Sequence, residues 1–317
     1  MKKLSVLIPC YNEQEVFPFL RQELECFCSG LSEQELDYEI ILVDDGSHDL
    51  TWPLILDWSS ANPHVRGLSL SRNFGHQAAL SCACQVCTGD VSVSLDADLQ
   101  DPPEVIMEML EKWRAGADIV YGIRSRREAE SFFKKVTAAG YYRFLQYLGV
   151  KLERDCGDFR LMNRRSMDAL NAMPERGRLL RAMVGWIGFR TERVYFVRHA
   201  RKAGKTKYPL RKMIALAADG IFSFSYMPLR ISYYLSLLLA LPVLIYLAAT
   251  LILYSLGKAT LVPGWTSIVL IVTLFGAGNL ICLGAQGEYI RRIYAEVKQR
   301  PLYWVREDTA ERKAEKR

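Results

Sequence analysis

A short polar cluster at residues 96–100 offers the chemistry of a divalent-cation site. Residues 91–95 alternate in a way typical of a short buried strand, and Asp96, Asp98 and Gln100 follow directly. Carboxylate and carboxamide oxygens suit a hard cation such as Mg²⁺ or Mn²⁺, which usually arrives bridged to phosphate groups. Two acids at this spacing are equally typical of a solvated loop, so the rest of the chain must decide between these interpretations.

The residues after this cluster predict the start of a helix. Asp101 has the side chain of an N-cap, Pro102 suits the first helical position, and Glu104 lies where a capping box places its acid. The cluster would therefore lie between the carboxyl end of a strand and a helix. Open α/β sheets bind ligands at that edge.

Four further apolar runs end in polar residues in the same way. Residues 4–9, 39–44, 65–70 and 117–122 predict strands, and helices are predicted at about 14–29 and 77–88. The polar residues that follow these strands are Tyr11, Asn12, Glu13, Asp44, Asp45, Arg72, Asn73, His76 and Arg124. This alternation predicts a doubly wound, mostly parallel α/β sheet with one ligand-binding edge.

Two further groups of residues have an ordinary structural interpretation. His76 could act as a general base, but no acid partner lies nearby in sequence, which favours a structural role at a helix start. Cys82, Cys84 and Cys87 do not share one helical face, and no fourth ligand completes a metal site. They are predicted to be buried thiols in a reducing cytosol.

Three segments between the sheet and the end of the chain carry charge in a pattern. Residues 132–150 are amphipathic and basic, which fits either a packed helix or one lying on a membrane surface. Residues 154–162 contain two acids and a glycine, and predict a loop that reaches back to the site. Residues 197–213 contain seven Lys or Arg and no acid, which favours contact with phosphate or anionic lipid over a merely solvated face.

Two uncharged stretches predict a pair of membrane-spanning helices. Residues 231–256 and 265–287 contain no charged side chain, and each exceeds the roughly 20 apolar residues that cross a bilayer. Basic residues flank the pair, including Arg230, Arg291 and Arg292, so the positive-inside rule places both termini in the cytoplasm. Asn279 and Gln286 predict hydrogen bonds within the hairpin or between subunits, which leaves a homo-oligomer open.

These boundaries predict five segments in the chain. They are a cytoplasmic α/β domain at 1–212, a juxtamembrane amphipathic segment at 213–230, spans at 231–256 and 265–287, and a basic cytoplasmic tail at 288–317. The formal net charge is only +6, and we expect no nucleic-acid partner.

Five motifs, in this order, resemble the family 2 inverting glycosyltransferases. They are Pro9-Cys-Tyr11-Asn12-Glu13, Asp44-Asp45-Gly-Ser, Ser71-Arg72-Asn73-Phe-Gly, Asp96-Ala-Asp98-Leu-Gln100-Asp-Pro-Pro-Glu and Gly157-Asp158-Phe-Arg160-Leu. Residues 287–301 resemble the C-terminal segment found in one branch of this family, which glycosylates polyprenyl phosphates. That branch contains the bactoprenol glucosyltransferases and the dolichol-phosphate mannose synthases.

The resemblance implies a nucleotide-diphospho-sugar transferase domain of Rossmann-like fold and a C-terminal transmembrane hairpin. It also implies metal-dependent, inverting transfer of one hexose to undecaprenyl or another polyprenyl phosphate at the inner, cytoplasmic membrane. The product would donate sugar to cell-envelope glycans such as lipopolysaccharide. The favoured sugar is glucose, with UDP-glucose as its donor, and mannose or an aminosugar are alternative sugars.

The resemblance also implies roles for individual residues. Pro9, Tyr11 and Glu13 would line the nucleotide pocket, with Asp45 reaching the base and Asp96 near the ribose and diphosphate. Asp98 and Gln100, with Asp96, would hold Mg²⁺ or Mn²⁺, and Asp98 and Asp158 would be the catalytic carboxylates. The phosphates of donor or acceptor would meet Arg124, Lys135, Arg198, Arg201, Lys205 and Lys207.

The acceptor's own chemistry limits what Asp158 would have to do. A phosphate monoester is largely ionised near neutral pH, because its second pKa is about 6. Although Asp158 matches the position of a catalytic base, we therefore expect it to orient the acceptor or the sugar instead of taking a proton.

Two other functions fit parts of the sequence. A processive polysaccharide synthase subunit is disfavoured, because its Gln-x-x-Arg-Trp signature is absent and the corresponding region begins Arg178-Leu-Leu-Arg181. A non-enzymatic membrane assembly protein would be expected to lose Asp98 or the basic segment, and this chain retains both.

Overall fold

The computed structural model describes residues 1–31, 34–125, 156–198, 227–257 and 264–315. These residues fall into two compact units. The first unit contains the described residues up to 198 together with residues 300–315, and the second contains residues 227–257 and 264–299.

An eight-stranded sheet is the framework of the first unit. Its strands are β1 (Lys2–Cys10), β2 (Leu36–Asp44), β3 (Val65–Leu70), β4 (Val91–Ser94), β5 (Ile119–Arg124), β6 (Cys156–Asn163), β7 (Thr191–Phe196) and β8 (Val305–Asp308). The strand order is β7-β5-β6-β4-β1-β2-β3-β8. Strand β1 pairs in parallel with β2 and β4, β2 with β3, and β5 with β7, which confirms the predicted mostly parallel α/β sheet.

The described residues between 17 and 187 contain six helices that accompany this sheet. They are α1 (Phe17–Ser29), α2 (Thr51–Ala61), α3 (His76–Val86), α4 (Val105–Arg114), α5 (Arg164–Asn171) and α6 (Leu180–Ile187). In α1 the buried side chains recur every three or four residues, as an amphipathic helix requires. Phe17 of this helix meets the ring of Trp58 edge to face, with centroids 6.0 Å apart.

The cysteines of α3 and its C-terminal boundary are free thiols in the core, as the sequence predicts. Cys82, Cys84 and Cys87 are all buried. Burial raises the pKa of Cys84 to about 12 and that of Cys82 to about 11. These thiols are therefore protonated and unreactive at neutral pH.

Strand β6 corrects the prediction of a loop at residues 154–162. It lies between β4 and β5 and is antiparallel to both. Phe159 and Leu161 join the apolar core, while Asp158 and Arg160, also buried, form an ion pair with each other. The polar residues of this segment are typical of a loop. The sequence alone does not show that the charges of Asp158 and Arg160 neutralise each other inside the sheet.

The start of α4 also differs from the prediction. The helix begins at Val105, and its N-cap, Glu104, makes no side-chain capping bond. The carbonyl oxygens of Pro102 and Pro103 accept hydrogen bonds from the first helical amides. Asp101 is not a cap but a buried carboxylate, so the capping-box prediction was wrong.

The second unit contains two long helices, α7 (Met227–Ser255) and α8 (Trp265–Val297). They pack antiparallel. The Cys282 thiol donates a hydrogen bond to the Ser232 carbonyl oxygen. Gly278 contacts Leu239 so closely that a Cβ there would lie 2.4 Å from a leucine methyl group. One described segment, residues 229–246, is long and apolar enough to be a candidate membrane span, with a mean hydropathy of 1.7. The two-span hairpin therefore stays a prediction.

The predicted basic tail is structured over much of its length. Helix α8 continues to Val297, and strand β8 is followed by α9 (Thr309–Glu315). Strand β8 pairs antiparallel with β3, where Arg66 forms a 2.6 Å ion pair with buried Asp308. The Thr309 hydroxyl accepts a 2.9 Å hydrogen bond from the Gly67 amide. The end of the chain thus covers the β3 edge, which would otherwise leave backbone groups unpaired.

We expect Asp308→Ala to destabilise the first unit by about 1–3 kcal/mol, because it leaves a partly buried guanidinium without its acid. Thermal unfolding of the detergent-solubilised chain measures this effect. Glu311→Ala, at an exposed position of α9, is the control and should leave the unfolding temperature unchanged. Equal, small effects of both substitutions would contradict a stabilising role for the β8 contact.

Candidate active site

One buried carboxylate, that of Asp158 on β6, gathers the polar groups of the candidate site. Its side chain is only 4% exposed. Arg160 donates to Oδ1 from Nη2 at 2.6 Å. Arg181, from α6, donates to Oδ1 from Nε at 3.2 Å and to Oδ2 from Nη2 at 3.1 Å. This two-point contact is the strong geometry of an arginine–carboxylate pair.

The start of α3 supplies two further partners to the same carboxylate. His76 Nε2 lies 3.2 Å from Asp158 Oδ2, and Gln77 Nε2 donates to that oxygen at 3.2 Å. The same nitrogen, His76 Nε2, lies 3.7 Å from Asp96 Oδ1. No acid lies near His76 in sequence, but the fold brings the carboxylate of Asp158, 82 residues away, beside it at the predicted helix start.

Asp45, at the end of β2, fixes the position of His76. Its carboxylate accepts hydrogen bonds from the Phe74 amide at 2.7 Å and the Gly75 amide at 2.9 Å. Gly75 has a φ of +99°, which few residues other than glycine adopt. The chain then enters α3 with His76 as its first residue.

The start of α6 is held in a similar way. Gln77 Oε1 accepts from the Leu180 amide at 2.9 Å, and Arg160 Nη1 donates to the Leu180 carbonyl at 3.3 Å. Both polar groups of Leu180 are therefore tied to side chains that also bind Asp158. Arg181, the next residue, is presented to the carboxylate as a consequence.

The charges in this cluster set the protonation of its members. Burial alone would raise the pKa of Asp158, but the His76 hydrogen bond and the charges of Arg160 and Arg181 hold it well below its usual range. Burial would lower the pKa of His76, yet its bond to Asp158 and the nearby Asp96 charge raise it. Asp158 is therefore a persistent anion and a weak proton acceptor.

Asp96, Asp98 and Gln100 lie beyond the carboxyl end of β4. All three are partly exposed, and they alternate with the buried residues 95, 97 and 99. The Gln100 amide donates to Asp98 Oδ1 at 3.2 Å, and Leu99 adopts a φ of +53°. Burial raises the pKa of Asp96, and His76 opposes that shift.

These oxygen donors fit a hard cation whose remaining coordination positions are filled by the substrate. Within the described residues, no group of three or more His, Cys, Asp and Glu converges as a protein cage. Mg²⁺ commonly binds through one or two carboxylates plus substrate phosphates. Asp96 and Asp98, with the Gln100 oxygen, fit that mode of binding.

A second buried carboxylate, Asp101, lies near two arginines next to this cluster. Arg124 Nη2 lies 3.5 Å from Asp101 Oδ2, and Arg198 Nε lies 3.7 Å from Oδ1. Burial, together with repulsion from Arg124, lowers the pKa of Arg198. Gly157 leaves room for Arg124, since a Cβ there would lie 2.7 Å from Nη2. Two of the predicted phosphate contacts thus lie together.

Four of the predicted nucleotide-binding residues, Pro9, Tyr11, Glu13 and Asp45, lie at or just beyond the carboxyl ends of β1 and β2, and the fifth, Asp96, follows β4. Pro9 is paired in register with Val43 within the sheet. The turn that carries Tyr11 is joined to the β2 turn, because the Asn12 amide donates to Ser47 Oγ at 2.9 Å. The Glu13 amide donates to Thr51 Oγ1 at 2.8 Å. Contact of Pro9, Tyr11, Glu13 and Asp45 with a nucleotide stays a prediction.

Some site residues were missed, and others lie outside the described residues. Gln77, Arg160 and Arg181 had no predicted role, although Arg160 shares the strand face of Asp158. A signal for Arg160 existed in that i, i+2 spacing, whereas nothing local indicates Gln77 or Arg181. The predicted contacts Lys135, Arg201, Lys205 and Lys207 all lie in segments that the structure does not describe.

Comparison with known proteins gives matches over most of the chain. The family described as glycosyl transferase family 2 matches residues 5–170. A prophage bactoprenol glucosyl transferase homolog of Escherichia coli (strain K12) is 38% identical over 305 residues, covering 96% of this chain and 98% of the relative. An uncharacterised Bacillus subtilis (strain 168) glycosyltransferase, YkcC, is 41% identical over 302 residues, covering 95% and 92% respectively.

Among solved structures, a glucosyl-3-phosphoglycerate synthase from Mycobacterium tuberculosis, in complex with Mg²⁺ and uridine diphosphate, is similar at 18% identity. The match covers 70% of this chain and 77% of that one, with a TM-score of 0.49.

We expect Arg160→Met to destabilise the protein by about 3 kcal/mol or more, because it removes a buried cation from a buried carboxylate. Glu25→Gln is the control, since it breaks only the exposed Arg21–Glu25 pair and should cost less than about 0.5 kcal/mol. Chemical unfolding of both variants measures the difference. A loss for Arg160→Met no larger than that for the control would contradict the proposed importance of this pair.

The pKa of Asp158 also predicts how stability depends on pH. A depressed carboxylate pKa contributes stability above the unfolded pKa of about 3.9, and this contribution is lost as the pH falls through the folded pKa. The difference in unfolding temperature between wild type and Asp158→Asn should be present at neutral pH, grow as the pH falls through the raised pKa of His76, which loses its Asp158 partner in the variant, and shrink below about pH 4. A difference that already shrinks between about pH 7 and 6 would contradict the depressed pKa.

Proposed function

Because this chain belongs to glycosyl transferase family 2 and is a glycosyltransferase, we propose that it transfers one hexose to a polyprenyl phosphate, with inversion. The proposed donor is UDP-glucose, and the proposed place is the cytoplasmic face of the inner membrane. Full-length similarity to bactoprenol glucosyl transferases supports the acceptor and the sugar. The single observation that carries the proposal is the meeting of Asp96, His76 and Asp158 within 3.7 Å at one edge of the sheet.

Transfer requires the departing nucleoside diphosphate to be stabilised. Mg²⁺ or Mn²⁺ held by Asp98 and Gln100, with Asp96, would neutralise developing charge on that group. Arg124 and Arg198 are partly exposed beside these residues and would supplement this effect from the protein itself. Pro9, Tyr11 and Glu13 would contact the nucleotide, and Asp45 would position the turn before His76.

The acceptor needs positioning more than it needs activation. A phosphate monoester is already ionised near neutral pH, and Asp158 holds its negative charge too firmly to act as an effective proton acceptor. Asp158 therefore acts through the groups that it orients, so that the acceptor oxygen lies in line with the sugar carbon and the departing phosphate. Lys135, Arg201, Lys205 and Lys207 belong to the proposal as further phosphate contacts.

A membrane location follows from the acceptor and is compatible with the order of the chain. Helices α7 and α8 are the proposed anchor, and one of them contains a candidate span. Strand β8 comes after both helices and pairs with β3, which comes before them. If both helices cross the bilayer, the segments that flank them lie on the same side, and the flanking basic residues favour the cytoplasm.

The experiment that tests this function offers a panel of radiolabelled nucleotide sugars to the membrane-embedded chain with undecaprenyl phosphate, with and without EDTA. We expect a lipid carrying a single sugar, formed from UDP-glucose and abolished by EDTA. A lipid labelled by mannose or an aminosugar would change the donor. Polymer would indicate a processive synthase, and no product from intact protein would favour a non-enzymatic role.

We expect Asp98→Ala to reduce metal-dependent transfer at least a hundredfold, because the cation loses a charged ligand. Its unfolding temperature should remain close to that of wild type, since Asp98 is partly exposed. Glu108→Ala, on the exposed face of α4, is the matched acidic control and should retain full activity. Full activity of Asp98→Ala would remove Asp98 from the proposed metal site.

A further inference from the structure

We propose that Arg181 and His76 bind the phosphate monoester of the acceptor, and that Asp158 is the positioning residue that holds both. This inference rests on the function proposed above and adds two residues that lie outside the five family motifs. It concerns how the acceptor is recognised, whereas Arg124 and Arg198 lie with Asp101 beside the proposed donor site.

The first argument is the difference in exposure among the partners of Asp158. The Arg160 side chain is 3% exposed and cannot reach a substrate, whereas those of Arg181 and His76 are 39% and 40% exposed. One buried acid thus has a buried cation on one side and two accessible nitrogen-bearing groups on the other. The accessible pair is what a ligand entering the site would meet.

The second argument is charge. Arg160 alone neutralises Asp158, so the guanidinium of Arg181 is a surplus positive charge at the exposed side of the cluster. Asp96, 3.7 Å from His76, is one of the proposed cation-binding residues, so a bound divalent cation would neutralise its negative charge. A phosphate monoester is a ligand whose negative charge would face this surplus guanidinium.

The third argument is hydrogen-bonding capacity. A guanidinium carries five N–H groups, and Arg181 directs Nε and Nη2 to Asp158. That contact fixes the plane of the guanidinium, and within the described part of the chain no hydrogen bond occupies its remaining edge, where phosphate oxygens could bind. Preorganised arginines of this kind recognise phosphate with directional, charge-assisted hydrogen bonds.

The fourth argument is position. His76 lies between Asp96, on the donor side, and Asp158. An acceptor oxygen must approach the sugar carbon that is bonded to the donor's diphosphate. A phosphate held by His76 and Arg181 would lie next to the donor, as in-line transfer requires.

The alternative is that Arg181 only neutralises buried Asp158. A double-mutant cycle separates these roles, because Arg181→Met combined with Asp158→Asn removes both charges together. If Arg181 only neutralises Asp158, it becomes dispensable once that acid is removed. If Arg181 binds the acceptor phosphate, its loss still weakens acceptor binding when Asp158 is replaced.

The test uses the full chain in detergent with a water-soluble, short-chain isoprenyl phosphate as acceptor and the donor found active in the panel. For Arg181→Met we expect the acceptor KM to rise about ten- to hundredfold, with the donor KM within about twofold of wild type. Arg181→Lys should lie between wild type and Arg181→Met, since it keeps the charge and loses the planar fork. His76→Gln should raise the acceptor KM severalfold.

The decisive comparison is the double variant, which should keep the high acceptor KM of Arg181→Met. Arg178→Met is the matched control, because Arg178 donates to the Leu170 carbonyl and makes no described contact with Asp158. Its acceptor KM should equal that of wild type. Recovery of a normal acceptor KM in the double variant, or an unchanged KM in both single Arg181 variants, would overturn the inference. Failure of the proposed function itself would appear separately, as wild-type protein that labels no lipid.

Discussion

The burial of an ionised carboxylate is the constraint on which the rest of this site depends. An unpaired charge in the interior costs several kcal/mol, so Asp158 must be surrounded by cations and hydrogen-bond donors. They come from three separate elements: β6 supplies Arg160, α3 supplies His76 and Gln77, and α6 supplies Arg181. Satisfying one charge therefore fixes the relative positions of a strand and two helices, which is the precision that group transfer needs.

Buried acids lie beside partly exposed arginines at two places along this edge of the sheet. Asp158 accepts two hydrogen bonds from Arg181, whereas Asp101 lies 3.5 Å from Arg124 and 3.7 Å from Arg198. In both places a buried acid attracts a flexible basic side chain before any substrate arrives. The entropy of ordering these arginines is then lost on folding and need not be lost on binding. Two such groups suit a reaction in which both substrates carry phosphate.

The unit that carries the site is completed by the end of the chain. Strand β8 covers the outer edge of β3, and the buried Asp308 carboxylate binds Arg66 there. The two long helices are therefore an insertion between parts of one sheet and not an appendage at its end. This order connects the proposed anchor to the unit that carries the site through both ends of the helix pair.

The sequence by itself determined the family, the alternating α/β architecture and the polar cluster after β4, because periodicity and motifs are properties of neighbouring residues. It also predicted most strands to within a few residues. Tertiary structure alone decided that residues 156–163 form a strand, that Asp101 is buried, and that His76 has an acid partner. It also decided that Gln77 and Arg181 belong to the site. Each of these depends on a charge that is stable only beside a group distant in sequence, as with the 82 residues between His76 and Asp158. Local pattern carries no record of such pairs, since the energy that selects them exists only after the chain has folded.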